Sequence, residues 1–406
     1  MIDINLINQC ELKLKDKFLA LDEIALFNQE KVLNAFKKNK IALRHFVGTT
    51  GYGYGDEGKE VLNALFADIF GAESAICTPN IVSGTHAISL ALYGVLRPSD
   101  VALSITGDPY DTLNDVLYGK DNGSLEEYGI RFDCIKLRDD KIDYDSILEY
   151  FSSNKMPKMV YLQRSRGYAW RKALSVSEIE ETVKFLRKNG FNGCIMLDNC
   201  YGEFIEKKEP TEVGVNLMAG SMIKNPGGGI APTGGYIVGD KIYVDQVFNR
   251  LTAPSIGSEV GSYLSGYQYF YQGLFLAPHV VLQAMKGSML YCAVLTELGY
   301  KTSPNAYELP TDIITEIEFG NKDKLIKFIQ NIQANSPVDS NVLAMPWAMP
   351  GYNDEVIMAA GCFVQGSSIE LSADAPIREP FIAYFQGGLT YEHCKIVLKN
   401  LCLWTM

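Results

Sequence analysis

The sequence predicts an α/β protein with a mostly parallel sheet in a large domain and a smaller α+β domain at the C-terminus. Short apolar runs alternate with amphipathic segments between residues 101 and 238, which is typical of a parallel sheet with helices on both faces. A new series of strand and helix patterns begins near Gly299. The chain of 406 residues is long enough for both units. The predicted boundaries are 1–50 for an N-terminal helical arm, 51–298 for the large domain and 299–406 for the small domain.

Composition narrows the possible partners. The net charge is −11 and no basic stripe occurs, which argues against nucleic acid. No run of about 20 apolar residues could span a membrane. Nine scattered cysteines without a CxxC pair and a start without a secretory pattern predict a cytoplasmic protein. The four histidines show no metal-ligand spacing, so we expect no metal site.

Two features precede the alternating region. Apolar residues recur at helical spacing from about residue 10 to 40, which predicts one or two amphipathic helices that pack on a partner subunit. The glycine-rich loop Gly51–Gly58 contains a GxGxxG pattern, and Glu73 follows where a dinucleotide-binding protein carries an acid. Such a fingerprint needs a buried strand directly before it, and residues 44–50 do not form that pattern. We therefore favour another role for this loop.

Apolar patterns and capping residues predict the bounds of the helices and strands along the chain. Ser175 and Glu178 form a capping-box pattern at the start of one helix, and Gly190 is typical of its end. The predicted strands are 101–105, 132–137, 159–162, 194–197, 215–219 and 235–238, and the predicted helices are 61–70, 84–92, 111–118, 145–151, 175–190 and 259–298. In the C-terminal part the predicted strands are 313–319, 356–360 and 368–372, and the predicted helices are 322–332 and 390–403.

Four features fall where such a sheet binds ligands, at the carboxyl ends of its strands. Tyr110, Asp198 and Lys224 follow predicted strands. Ser83-Gly84-Thr85 opens an apolar helix, whose first N–H groups can hold a phosphate. Taken singly, Asp198 could be a turn acid, Tyr110 a core residue and Ser83 a plain helix cap. Together they match the needs of pyridoxal 5′-phosphate (PLP): a lysine for a Schiff base, a carboxylate for the ring nitrogen, an aromatic ring and a phosphate cradle.

The longer motifs resemble the methionine γ-lyase-like family called aluminium resistance proteins, within the fold-type-I PLP-dependent enzymes related to cystathionine β- and γ-lyases. The resemblance covers nearly the whole chain and implies a transferase-like α/β fold with a mostly parallel seven-stranded sheet. The motifs that carry it are GYGYGDEG at 51–58, SGTHA at 83–87, LDNCYGEF at 197–204, SMIKNPGGG at 221–229, GSSIELSAD at 366–374, REP at 378–380 and QGGLTYEH at 386–393.

The resemblance also implies individual roles. Ser221 matches a residue that touches the cofactor phosphate together with Ser83, Gly84 and Thr85. Arg378 matches the arginine that binds the α-carboxylate of the substrate, as a bidentate guanidinium can. As a lone arginine beside Glu379, it could equally form a surface ion pair.

Two further positions concern the partner subunit. Tyr52 and Tyr54 fall where relatives bring a tyrosine and an arginine from the neighbouring subunit, and this chain has no arginine there. The resemblance therefore implies a homo-oligomer, a dimer or tetramer with the active site at the subunit interface, but leaves open what replaces that arginine.

The predicted activity is cleavage of a carbon–sulfur bond in a sulfur-containing amino acid, as in methionine γ-lyase or cystathionine β-lyase. Lys224, Asp198 and Tyr110 are the predicted catalytic residues, with Lys224 carrying PLP as a Schiff base and later taking the α-proton. Gln163, Arg166 and Glu203 are further candidates for the pocket wall. Two alternatives stay open: a PLP enzyme of another reaction type, such as an aminotransferase or an aldolase-like enzyme, and a non-catalytic PLP-fold stress-response protein.

Overall fold

The chain contains two β-sheets flanked by helices, and the computed structural model describes residues 1–402. The last residue of the predicted closing helix, Leu403, lies outside that range. The larger sheet has seven strands and the smaller one six. The prediction of an α/β fold with a mostly parallel seven-stranded sheet is confirmed.

The larger sheet runs in the order β1-β7-β6-β5-β4-β2-β3. Its strands pair in parallel except for β7, which is antiparallel to both β1 and β6. All six strands predicted in the alternating region begin and end within three residues of their predicted positions, and β1 was not predicted. The bounds are β1 Ser74–Thr78, β2 Val101–Ser104, β3 Arg131–Cys134, β4 Met159–Gln163, β5 Cys194–Asp198, β6 Leu217–Ser221 and β7 Gly235–Gly239.

Helices cover the faces of the sheet. The predicted capping box of Ser175 and Glu178 is present at the start of α7. The long helix begins at Gln268, later than predicted, because Gly261 and Gly266 adopt positive φ before it. The bounds are α1 Ile4–Lys13, α2 Lys15–Lys38, α3 Glu57–Ile69, α4 Gly84–Val95, α5 Asn114–Tyr118, α6 Tyr144–Ser153, α7 Val176–Lys188, α8 Lys241–Leu251, α9 Gln268–Glu297, α10 Lys322–Ala334 and α11 Tyr391–Asn400.

The smaller sheet is antiparallel throughout, in the order β10-β11-β12-β13-β9-β8. The strand predicted at 368–372 is wrong, because the extended segment begins only at Ser372. Glu370 accepts hydrogen bonds from the backbone N–H groups of Phe363 and Val364, so this part of the chain is held as a turn. The bounds are β8 Lys301–Ser303, β9 Ile314–Glu318, β10 Trp347–Ala348, β11 Glu355–Ala359, β12 Ser372–Pro376 and β13 Ile382–Gln386.

The N-terminal helices pack on the chain's own long helix. α2 lies along α9, and the buried Asn28 side chain donates hydrogen bonds to the carbonyl oxygens of Phe204 and Glu206. The predicted contact of this arm with a partner subunit stays a prediction. Within residues 1–402, no helix combines the length and the apolar character needed to cross a membrane.

A buried ion-pair cluster joins the two sheets. Arg166 follows β4 of the larger sheet, and its guanidinium lies 3.2 Å from Asp312 Oδ1 and 2.9 Å from Glu316 Oε2. All three side chains are inaccessible to solvent. Arg166 also donates to Ser303 Oγ at 3.1 Å. Since Glu316 lies on β9, this cluster fixes the smaller sheet against the strand ends of the larger one.

Replacing Arg166 by Met should therefore destabilise the protein strongly. The variant leaves two buried carboxylates without their cation, and breaking a buried pair in this way costs about 3–5 kcal/mol. Thermal and urea unfolding of the R166M protein measure the change. Arg138→Met is the matched control, because Arg138, which pairs with Asp143 and Asp145, is itself largely exposed. Equal melting temperatures of the two variants would contradict a stabilising role for the cluster.

Candidate active site

A cavity of about 380 Å³ lies between the carboxyl ends of the parallel strands and the smaller sheet. Eight residues predicted for the site line it: Ser83, Gly84, Thr85, Tyr110, Gln163, Asp198, Ser221 and Lys224. The smaller sheet contributes Met358, Asp374, Tyr384 and Gln386 to the opposite wall. The structure thus gathers into one cavity residues that lie far apart in the sequence.

Lys224 lies three residues beyond the end of β6, in the turn that leads to Pro226. Its Nζ atom lies 3.9 Å from the ring centroid of Tyr201, a cation–π distance. Burial alone lowers the pKa of Lys224, but the neighbouring Cys200, Tyr201 and Asp198 outweigh it and raise the pKa above its ordinary value. The amine is therefore held as an ammonium ion, directed to one place by an aromatic ring.

Asp198 ends β5 and is buried. Its Oδ1 atom accepts a hydrogen bond from the backbone N–H of Cys200 at 3.0 Å. Burial raises the pKa of Asp198, whereas the positive charge of Lys224 and the Cys200 hydrogen bond lower it. A cationic partner is what such a buried carboxylate requires.

The start of α4 forms a small-residue cradle beside Asp198. Ser83 caps the helix, since its Oγ accepts from the backbone N–H of His86 at 3.1 Å. A Cβ atom on Gly84 would lie 3.3 Å from Ser221 Cβ and 3.4 Å from Cys200 Sγ, so any larger side chain would crowd the cradle. The first N–H groups of a helix have no intrahelical partner and favour an anion. The cradle therefore suits a phosphate.

Tyr110 is held by two contacts. Its backbone N–H donates to Gln163 Oε1 at 2.8 Å, and its hydroxyl lies 2.6 Å from the Tyr352 hydroxyl. Gln163 thus acts on the position of Tyr110 as well as lining the cavity. Burial raises the pKa of the Tyr110 hydroxyl well above its ordinary value, so the group stays protonated.

Sequence reasoning missed several lining residues. Tyr201 lies inside the LDNCYGEF motif, three residues after Asp198, and Asp374 ends the GSSIELSAD motif, so both were available as motif residues. Tyr168, Tyr352 and Tyr384 also line the cavity. Tyr168 and Tyr352 lie outside helices and strands, where no periodicity marks them.

Two of the further candidates for the pocket wall do not line the cavity. Arg166 belongs to the buried ion-pair cluster described above. Glu203 is buried beneath the lysine turn, where its Oε1 accepts a hydrogen bond from the Tyr236 hydroxyl at 2.6 Å. Both expectations are corrected by these contacts.

Three predicted residues lie elsewhere in this single chain. Arg378 pairs with Asp354 at 3.0 Å and is not among the cavity-lining residues. Tyr52 and Tyr54 are 71% and 68% exposed, with ring centroids 5.5 Å apart. Their predicted roles stay predictions.

The GxGxxG loop lacks the context of a dinucleotide site. A 3-10 turn at Leu43–Phe46, not a strand, precedes it, and Gly53 and Gly55 adopt positive φ. Glu73 accepts a hydrogen bond from the backbone N–H of Lys241 and so serves the start of α8. In the part of the chain that the structure describes, no three His, Cys, Asp or Glu side chains are grouped as metal ligands would be.

A mostly parallel sheet with a lysine just beyond a strand end defines a broad class of α/β proteins. Comparison with known proteins identifies the family within that class. The family model for methionine gamma-lyase matches residues 3–404. The uncharacterized protein YnbB of Bacillus subtilis (strain 168) is 48% identical over 379 residues, which cover 92% of this chain and 90% of YnbB. A carbon-sulfur lyase involved in aluminum resistance from Clostridium novyi NT has a crystal structure with a TM-score of 0.94 and 46% identity, covering 98% of this chain and 94% of that one.

The chain therefore belongs to the methionine gamma-lyase family. A more distant likeness supports the fold alone. The pyridoxal-5′-phosphate-dependent protein YhfS of Escherichia coli matches with a TM-score of 0.62 at 16% identity, over 94% of this chain and 96% of that one.

The pKa of the buried Glu203 can be tested through the pH dependence of protein stability. Burial raises the pKa of Glu203 to about 8, although the Tyr236 hydrogen bond lowers it. In the unfolded chain a glutamate titrates near pH ~4.3. Between these values the folded protein binds more protons than the unfolded one, so this residue makes stability fall as pH rises.

Glu203→Gln should remove that pH-dependent loss. We expect the melting temperature of the variant, relative to the unmodified protein, to rise steadily from about pH 5 to about pH 8. Glu60→Gln, at an exposed position of α3, is the control and should follow the unmodified protein. A difference that stays constant across this range would show that Glu203 is already ionised in the folded state.

Proposed function

We propose that the protein is a PLP-dependent lyase that cleaves a carbon–sulfur bond of a sulfur-containing amino acid. The observation that carries the proposal is the meeting of Lys224, Asp198, Tyr110 and the α4 cradle in one cavity. Membership of the methionine gamma-lyase family supports the same activity, and the carbon-sulfur lyase of Clostridium novyi shares nearly the whole fold.

The residues present fit PLP. The cradle of Ser83, Gly84 and Thr85, with Ser221 beside it, would hold the phosphate. A Cβ atom on Gly84 would lie 3.3 Å from Ser221 Cβ, so the cradle is tight for any larger residue. The buried carboxylate of Asp198 would pair with the protonated ring nitrogen. The ring of Tyr110 would lie against the pyridine ring. When bound, PLP supplies an electron sink for the charge left at the substrate Cα.

Lys224 is the residue that acts on protons. Its Nζ would hold PLP as a Schiff base, and the same amine would take the proton from the substrate Cα. Tyr201 orients that amine through its ring face. The sulfur then leaves with the electron pair of the C–S bond and a proton, and uptake of one water yields a thiol, a 2-oxo acid and ammonia.

The proposal includes an assembly. A homodimer or homotetramer in the cytoplasm would place Tyr52 and Tyr54 of one copy beside the site of another, and their exposure in the single chain leaves them available. Arg378 would bind the substrate α-carboxylate after leaving Asp354. The identity of the substrate that the protein cleaves will show whether the broken C–S bond lies at the β- or the γ-carbon.

Borohydride trapping tests the cofactor assignment. The protein loaded with PLP should show a visible absorption band that borohydride bleaches, and peptide mass mapping should find a pyridoxyl adduct on Lys224. Lys224→Ala should form no adduct, and its rate of thiol release should fall by about 10²–10⁴-fold. Lys172→Ala, which alters an exposed lysine paired with Glu308, is the control and should keep both.

Two further results distinguish the reaction. Asp198→Asn should keep the adduct on Lys224 yet release thiol more slowly, since the ring nitrogen loses its charged partner. Formation of 2-oxo acid that requires an added acceptor keto acid would replace the lyase with an aminotransferase. A protein that takes up no PLP would contradict the proposal altogether.

A further inference from the structure

One wall of the cavity is formed by the smaller sheet and carries a carboxylate. Asp374 lies on β12, with Met358 of β11 and Tyr384 of β13 as its cross-strand partners. All three residues line the cavity. Since directly paired residues of an antiparallel sheet share a face, they form one continuous surface.

Aromatic rings surround this carboxylate. The Tyr168 hydroxyl donates to Asp374 Oδ2 at 2.6 Å. The Tyr168 ring centroid lies 4.9 Å from that of Tyr384, 5.9 Å from that of Tyr352 and 5.6 Å from that of Tyr110. We call Tyr110, Tyr168, Tyr352 and Tyr384 the tyrosine cluster. It extends from the predicted cofactor ring position at Tyr110 to the smaller sheet.

The charges in the cavity are not balanced. Among the described residues that line it, Asp198 and Asp374 are acidic and only Lys224 is basic. Asp198 and Lys224 have partners in the proposed chemistry, whereas Asp374 has none. The Asp374 Oδ1 atom is buried and has no hydrogen-bond partner within residues 1–402.

Asp374 retains a charge that a ligand can use. Burial raises the pKa of Asp374 to about 6, although Tyr168 and Lys224 lower it. The carboxylate is therefore mostly ionised at neutral pH. An ionised carboxylate with a buried oxygen that has no hydrogen-bond partner is costly, and an apolar ligand would not relieve that cost.

We propose that Asp374 and the tyrosine cluster bind a cationic group at the far end of the substrate, so that preferred substrates carry a second ammonium group beyond the sulfur atom. A carboxylate set among aromatic rings combines an ion pair with cation–π attraction. The same surface would repel a second carboxylate, and a methyl group placed there would add little to the binding free energy. This inference rests on the proposed function, because it assigns the leaving-group side of that reaction.

Binding of two amino acids of equal shape tests the inference. L-Ornithine and L-norleucine differ in that the fourth side-chain atom is an ammonium nitrogen in one and a methyl carbon in the other, and neither contains sulfur. Their dissociation constants are measured from the change in visible absorption of the PLP-loaded protein. We expect ornithine to bind at least about tenfold more tightly, which corresponds to ~1.4 kcal/mol.

Variants locate the effect. Asp374→Asn should reduce the preference to about twofold or less while keeping the pyridoxyl adduct on Lys224. Tyr352→Leu, at a partly exposed loop position, removes one ring of the cluster and should lower the preference even if the Asn variant folds poorly. Tyr391→Phe is the control, because it removes a similar tyrosine–carboxylate bond, to Glu11, outside the cavity. It should keep the full preference.

Cleavage assays separate failure of the inference from failure of the proposed function. S-(2-Aminoethyl)-L-cysteine and S-propyl-L-cysteine form a matched pair with a sulfur leaving group, and the homocysteine counterparts test γ-cleavage. Thiol release from both members at equal kcat/KM, with equal binding of ornithine and norleucine, overturns the inference and keeps the lyase. No thiol from any of the four compounds, with ornithine still preferred, overturns the lyase. Failure of both amino acids to bind, together with no thiol from any of the four compounds, overturns both.

Discussion

The parallel pairing of β5 with β6 is the contact on which the site depends. Its register sets Asp198 opposite Ala219, so the carboxylate ends one strand while the chain of the other continues to Lys224. A shift by one residue would turn Asp198 to the opposite face of the sheet and separate it from the lysine. The burial of both strands on both faces makes such a shift costly, because every residue of β5 and β6 is packed.

The same pairing explains the electrostatics of the cavity. The ammonium of Lys224 and the carboxylate of Asp198 are both buried, and each shifts the pKa of the other toward its charged form. The ring face of Tyr201 then fixes the lysine side chain. Tyr201 itself has a φ of 73°, which is strained for a residue with a side chain. The packing around it, including its hydroxyl contact with Ser368 at 3.2 Å, maintains that conformation.

The sequence predicted the larger sheet well because its signals are local. Buried parallel strands are short apolar runs, and the residues that follow them meet at one edge whatever the details of packing, so Asp198 and Lys224 could be placed together in advance. The smaller sheet gives weaker signals. β12 reads Ser-Ala-Asp-Ala-Pro and β10 has only two residues, so neither shows a clear apolar pattern. The strand predicted at 368–372 therefore lies four residues too early, and the observed strand β12, Ser372–Pro376, carries Asp374.

Two of the missed residues share a physical cause. Tyr168 and Tyr352 reach the cavity from segments without regular structure, and their neighbours in space come from distant parts of the chain. The Arg166 cluster shows the same limit, since an arginine after β4 reads as a candidate for the pocket until Asp312 is seen beside it. Contacts between the two sheets depend on tertiary packing, which no local pattern encodes.

The two sheets supply different parts of the proposed site. The residues proposed to hold the cofactor and move the proton come from the larger sheet and α4, whereas Asp374 and Tyr384 come from the smaller sheet. The relative position of the two walls is fixed by the buried contacts of Arg166 with Asp312 and Glu316. Changes within the smaller sheet can therefore alter which side chain the cavity accepts without disturbing the register of β5 and β6. In the proposed function the larger sheet supplies the residues that hold the cofactor and move the proton, and the smaller sheet supplies part of the wall that selects the substrate. The buried ion-pair cluster holds these two walls together.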